Sequence, residues 1–73
     1  MTTTALVEHV KSRGDGEIVQ CWIAIGGAGR SSKNVQWDEG RLVIENEIDG
    51  SMEELSAEEL IEKYGNGDIW HLY

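Results

Sequence analysis

The chain has a single cysteine, no phenylalanine, and only six basic residues against fourteen acidic ones in a length of 73. One cysteine, Cys21, allows no intramolecular disulfide, so nothing here calls for an oxidising compartment. The N-terminus lacks a basic segment followed by an apolar core, which argues against a signal peptide. The longest apolar run, Glu17 to Gly26, falls far short of the roughly 20 residues a membrane-spanning helix needs. A soluble, cytoplasmic protein with no membrane contact is the expectation. A length of 73 residues also means one domain, 1–73, with a small core and little slack in its packing. Hydrophobic content of 40% is enough for that core and argues against disorder.

Charge is unevenly placed. Residues 1–37 carry three acids against four bases, whereas residues 38–73 carry eleven acids against Arg41 and Lys63, for a net charge of −8. Such an acidic half repels nucleic acid and anionic membrane and attracts basic protein surfaces. Direct nucleic-acid binding through it is not expected.

What is present in the apolar run organises the rest. Val19, Cys21, Ile23 and Ile25 recur with period two and line one face of a strand. The opposite face offers Ile18, Gln20, Trp22 and Ala24, half apolar, which suits a central strand better than an edge. Upstream, Leu6, Val7 and Val10 fit a helical stripe with Thr4 as N-cap, but the segment is also β-branched and leads into the turn signal Gly14-Asp15-Gly16. The strand reading is preferred, making residues 4–26 a hairpin, with a short helix as the alternative. Gly26 to Asn34 has no apolar side chain beyond Ala28 and reads as a loop. Val35 to Trp37 reads as a short strand, Asp38-Glu39-Gly40 as a turn, and Arg41 to Ile48 as a strand. In that strand Leu42, Ile44 and Ile48 face one way and Val43, Glu45 and Glu47 the other.

Asp49-Gly50-Ser51 breaks the strand, and Ser56-Ala-Glu-Glu59 then forms a capping box flanked by Leu55 and Leu60 as a hydrophobic staple. The helix is expected over about 57–64, ending at Gly65, with Leu60, Ile61 and Tyr64 toward the sheet. Ser51 with Glu54 repeats the capping spacing, so a start one turn earlier is the alternative. The apolar ending Ile69 to Tyr73 adds a last strand or packs across the helix. The fold class is α+β: a small antiparallel sheet of three to five strands with the C-terminal helix packed on one face, the N-terminal segment being strand or short helix.

Several short patterns carry chemistry elsewhere and fall short here. Glu45 to Gly50 partly matches a calcium-binding loop, but position 12 is Ser56 and no helix precedes it; a strand end and turn is the reading, a weak calcium site the minority one. Gly27-Ala-Gly29-Arg-Ser-Ser32 lacks the third glycine and the following helix of a dinucleotide loop. Anion binding there with Arg30 and Lys33 is the alternative to a plain surface loop. Arg13-Gly-Asp15 reads as a turn. His9, His71 and Cys21 stand apart with no metal-ligand spacing, so no metal or cofactor is assigned, and Cys21 reads as an inert buried thiol. Acid–base catalysis needs a carboxyl desolvated in a pocket, for which so small a domain has little room. No enzymatic activity is expected.

Two features remain. Trp22, Trp37 and Trp70 are many for this length; core packing is the preferred reading, but Trp22 is out of phase with the core face of its strand and fits an exposed interface anchor as well. The carboxylates are regularly spaced: Glu45 and Glu47 roughly 6.7 Å apart on a strand, Glu58 and Glu62 roughly 6 Å apart on a helix. Such rows imitate phosphates, although solvated acidic surfaces are also common. The expectation is a non-enzymatic acidic module that binds a protein with a basic surface. Its concrete form is an inhibitor of a nucleic-acid-handling partner, by analogy in size and charge with anti-CRISPR and anti-restriction inhibitors and antitoxin-like immunity proteins. Glu45, Glu47, Asp49, Glu58, Glu59 and Glu62 would make the contact, with Trp22 as anchor. Alternatives are a homo-oligomeric structural or accessory subunit, a homodimer in its simplest form, and a weak metal- or anion-binding domain.

Overall fold

The computed structural model describes residues 1–27 and 29–73. Its elements run α1 (Thr3–Ser12), β1 (Val19–Ile25), β2 (Gly29–Asp38), β3 (Arg41–Asn46), β4 (Met52–Leu55), α2 (Ala57–Tyr64) and β5 (Trp70–Leu72). The strands form one sheet in the order β4-β3-β2-β1-β5, with every neighbouring pair antiparallel. This is an α+β fold, at the upper end of the expected strand count. β1 lies inside the sheet, as its two-sided apolar content predicts.

The N-terminal segment is a helix and not the preferred strand. A strand would send Val7 to the face opposite Leu6 and Val10. The helix gathers Thr3, Leu6, Val7 and Val10 on one side, and all four are buried. Thr2, not Thr4, is the N-cap: its hydroxyl accepts from the Ala5 amide at 3.1 Å. Gly14-Asp15-Gly16 therefore turns from helix to sheet and makes no hairpin; the Gly16 amide donates to the Trp37 carbonyl at 2.9 Å.

The expected loop over residues 26–34 is also corrected. β2 begins at Gly29 and pairs with β1 from Ile25↔Gly29 to Val19↔Val35; Ala28, within that expected loop, lies outside the described residues. Polar side chains are no obstacle to this strand, because its ladder is backbone and Ser32 and Asn34 point to the solvent side. A Cβ at Gly29 would lie 2.9 Å from Ile25 Cγ1, so glycine is what lets the ladder start there. The β2–β3 turn is tight, with Glu39 and Gly40 both at positive φ (49° and 81°), a type I′ arrangement that matches strand twist.

β3 stops at Asn46, two residues short of the expected end, because the Gly50 amide closes a turn on the Asn46 carbonyl at 2.7 Å. Ile48, expected on the core face, stands in that turn 65% exposed. After the turn comes β4, a strand not anticipated, paired with β3 from Leu42↔Leu55 to Glu45↔Met52. Hence α2 does not start early at Ser51. Its capping box forms as expected, Glu59 N–H to Ser56 Oγ at 3.1 Å and Ser56 N–H to Glu59 Oε1 at 2.9 Å. Gly65, at φ 76°, ends the helix. The chain ending does form a strand, β5, on the free side of β1.

Register gathers the core. Val19↔Val35↔Ile44 and Trp37↔Leu42↔Leu55 run across the sheet on one face, and both helices cover that face. Leu6, Val10, Cys21, Val35, Leu42, Ile44, Leu60 and Trp70 are fully buried there, each large aliphatic side chain contributing about 1.5–3 kcal/mol of transfer free energy. Trp70 closes the layer: its Nε1–H donates to Thr3 Oγ1 at 2.9 Å and Tyr64 packs edge-on against its ring at 5.2 Å. No helix among the described residues is long and apolar enough to cross a membrane.

Candidate functional site

Because both helices sit on one face, the other face of the sheet is uncovered. Alternation on β1 to β4 sends Gln20, Trp22, Ser32, Asn34, Gln36, Val43, Glu45, Met52 and Glu54 to it. Trp22 is therefore not a core residue, as the preferred reading of the tryptophans had it; Trp70 is. Trp22 is half-buried within a stack, its ring 4.1 Å from that of His71 at 20° and 4.3 Å beneath the Arg30 guanidinium. Arg30 belongs to this stack on β2 and does not form an anion-binding loop with Lys33.

Glu45 and Glu47 are drawn together. Asn34 Nδ2 donates to Glu45 Oε1 and to Glu47 Oε1, both at 3.0 Å. Among the described residues no basic group pairs with either carboxylate. Glu45 lines a groove of about 110 Å³ together with Ile18, Asn34, Gln36, Val43 and Met52, and Glu47 is tied to it through Asn34.

The remaining carboxylates lie elsewhere. Asp49 sits in the β3–β4 turn, where it accepts from the Ser51 amide at 2.9 Å and the Ser51 hydroxyl at 2.7 Å; those bonds hold its carboxyl below the usual range. Glu58, Glu59 and Glu62 project from α2, on the helix side of the sheet. Glu59 is already engaged, by the Ser56 amide and by Arg41 at 3.1 Å, and the amide contact above all keeps its carboxyl low. Arg41 also meets Glu54 at 3.3 Å, and Lys63 pairs with Glu53, so both bases of the acidic half are used within the chain. The six carboxylates thus divide between two sides of the sheet, with only Glu45 and Glu47 on the face that carries Trp22.

On the covered face one titratable group stands out. Lys33, 5% exposed, donates to Asn46 Oδ1 and lies 5.6 Å from the Tyr64 ring centroid. Burial lowers its ammonium pKa, and the Glu53 carboxylate opposes that shift. Burial raises the Tyr64 hydroxyl as well, and pushes the Cys21 thiol up to about 11. These groups are held inside the sheet–helix layer, where Lys33 and Cys21 are out of reach of a dissolved substrate. Among the described residues no three His, Cys, Asp or Glu side chains are grouped so as to hold a metal.

Sequence reasoning missed Asn34, and considered Lys33 only as part of an anion-binding surface loop, whereas it is buried against Asn46. The signal was the alternation Lys33-Val35-Trp37 against Ser32-Asn34-Gln36, which continues the apolar Val35–Trp37 pattern backward through polar residues. Comparison of the chain with protein-family models, with curated proteins and with solved structures found no match.

Proposed function

We propose that this protein is a non-enzymatic, cytoplasmic binding module that docks on a basic protein surface and inhibits a nucleic-acid-handling partner. The observation that carries this reading is the state of the carboxylates in the acidic half. Arg41 and Lys63 are spent on Glu54, Glu59 and Glu53, while Glu45 and Glu47 on the open face and the exposed Glu58 and Glu62 on α2 have no cation of the chain beside them among the described residues. Glu58 and Glu62 are like charges at i,i+4, an arrangement that costs a helix about 0.2–0.5 kcal/mol. A partner that supplies the missing cations gains steered association and register from such a surface.

The test is an affinity capture from nuclease-treated bacterial lysate with the parent and with a variant carrying lysine at Glu45, Glu47 and Glu58. The expected result is an identified basic nucleic-acid-binding protein, held by the parent only, released by salt, and impaired in nucleic-acid binding when the parent is added. Equal capture by both baits, or no inhibition of the captured protein, contradicts the reading. The uncovered sheet face with Ile18 and Met52 each 62% exposed favours homo-oligomerisation as a second reading. Light scattering separates the two: a dimer insensitive to salt supports the second, a monomer the first.

A further inference from the structure

We infer that the groove on the open sheet face seats one arginine side chain of the basic partner, an inference that rests on the reading above and adds the chemistry of the contact. The groove's size sets the class of occupant. About 110 Å³ is well under the roughly 300–1,000 Å³ of small-molecule sites and suits a single side chain. Its lining sets the chemistry. Ile18, Val43 and Met52 offer apolar wall for an aliphatic stem, and Gln36 and Glu45 offer acceptors. A side chain with an apolar stem and a cationic head is what such a mixed lining matches.

Charge complementarity then selects arginine. No lining residue is basic, and the two neighbouring carboxylates are held side by side on one amide group, each 3.0 Å from Asn34 Nδ2. Each keeps a second oxygen free of that contact. A planar fork with five donors meets two adjacent carboxylates at once, which a point ammonium does not. A second copy of this chain is the poorer occupant, because each of its arginines is engaged within the chain: Arg30 lies 4.3 Å over the Trp22 ring, Arg41 pairs with Glu54 and Glu59, and Arg13 lies 3.8 Å from Glu17.

The probe is an acetylated tetra-arginine peptide, titrated at low salt into the parent protein and followed by NMR, with tetra-lysine as comparison. The expected result is movement of the Asn34 side-chain amide and the Ile18, Val43 and Met52 methyl signals, more strongly with arginine. E45Q/E47Q weakens binding about tenfold or more, as loss of two charge-assisted contacts implies, while its urea midpoint stays at the parent value. E58Q/E62Q leaves the groove shifts in place. Shifts centred on α2, equal groove shifts with tetra-lysine, or unchanged affinity in E45Q/E47Q overturn the inference. So does movement of the groove signals with protein concentration alone, which identifies a second copy. Groove shifts without any inhibited basic protein would sustain the groove and refute the inhibitor reading; inhibition without groove shifts would do the reverse.

Discussion

On β2, Lys33, Val35 and Trp37 turn toward the helices while Ser32, Asn34 and Gln36 turn away, and this alternation repeats across the sheet. The helix-covered face holds every fully buried apolar side chain of the strands, together with Leu6, Val10 and Leu60 from the helices. On the uncovered face the contacts are of another kind: an aromatic and cation stack on Trp22, an amide bridging two carboxylates, and a groove with apolar walls. The comparison teaches where each kind of change is felt. Substitutions on the covered face act on folding, since a domain this small has little stability in reserve. Substitutions on the open face act mainly on what the protein can bind.

The largest expected effect is on the covered face. Trp70→Ala removes a fully buried ring and its bond to Thr3, and should cost about 3–5 kcal/mol; urea unfolding will read this as loss of most or all of the folded population. Next comes a pH effect from Cys21. In the folded protein the thiol keeps its proton up to about pH 11, whereas unfolded it ionises near 9.0. Its contribution is therefore complete below pH 9 and lost as pH rises toward 11, by an amount on the order of 2 kcal/mol. Unfolding curves of Cys21→Ala across that range should fall less steeply than those of the parent, and parallel curves would contradict the assignment.

Smaller still is Ser56→Ala, which removes the hydroxyl half of the α2 capping box and should cost about 1 kcal/mol. For a domain of this size that is a fall in Tm of about 4–8 °C. Trp22→Ala, on the open face, loses about 0.5–1.5 kcal/mol of stacking beyond the area its half-buried ring covers, and should cost clearly less than Trp70→Ala. A loss from Trp22→Ala equal to that from Trp70→Ala would break the distinction between the two faces.

Local signals with a defined hydrogen-bond geometry were legible in the sequence. The Ser56–Glu59 box and Gly65 bounded α2 correctly, and the alternation from Val19 gave β1 its inward face, buried at Val19 and Cys21 and half-buried at Ile23, although Ile25, expected on that face, is 47% exposed at the strand end. Segments whose conformation depends on partners distant in the chain were not. Thr3 to Ser12 has apolar residues compatible with either period, and the helix prevails because Gly65, Asn66 and Trp70 supply bonds to Thr3 and Thr4 from the far end of the chain. The start of β2 is polar, and β4 is four residues with Glu53 and Glu54 at its centre, so both pass for loops until the neighbouring strand supplies their ladders. The candidate site divides in the same way. Trp22, Glu45 and Glu47 were found from spacing on single strands, and the structure places them on one face. Which other carboxylates share that face depends on where α2 packs, and α2 packs on the opposite side of the sheet. Asn34 escaped notice because its role exists only through the pairing Asn34↔Glu45.

The central claim is that the open face, and not the acidic helix alone, makes the contact. Its most direct test is capture and inhibition of the basic partner by two charge-reversed variants, E45K/E47K on the open face and E58K/E62K on α2. The account predicts that E45K/E47K abolishes both while retaining the parent's urea midpoint, and that E58K/E62K weakens capture without abolishing it. Full capture by E45K/E47K, or loss confined to E58K/E62K, would contradict it.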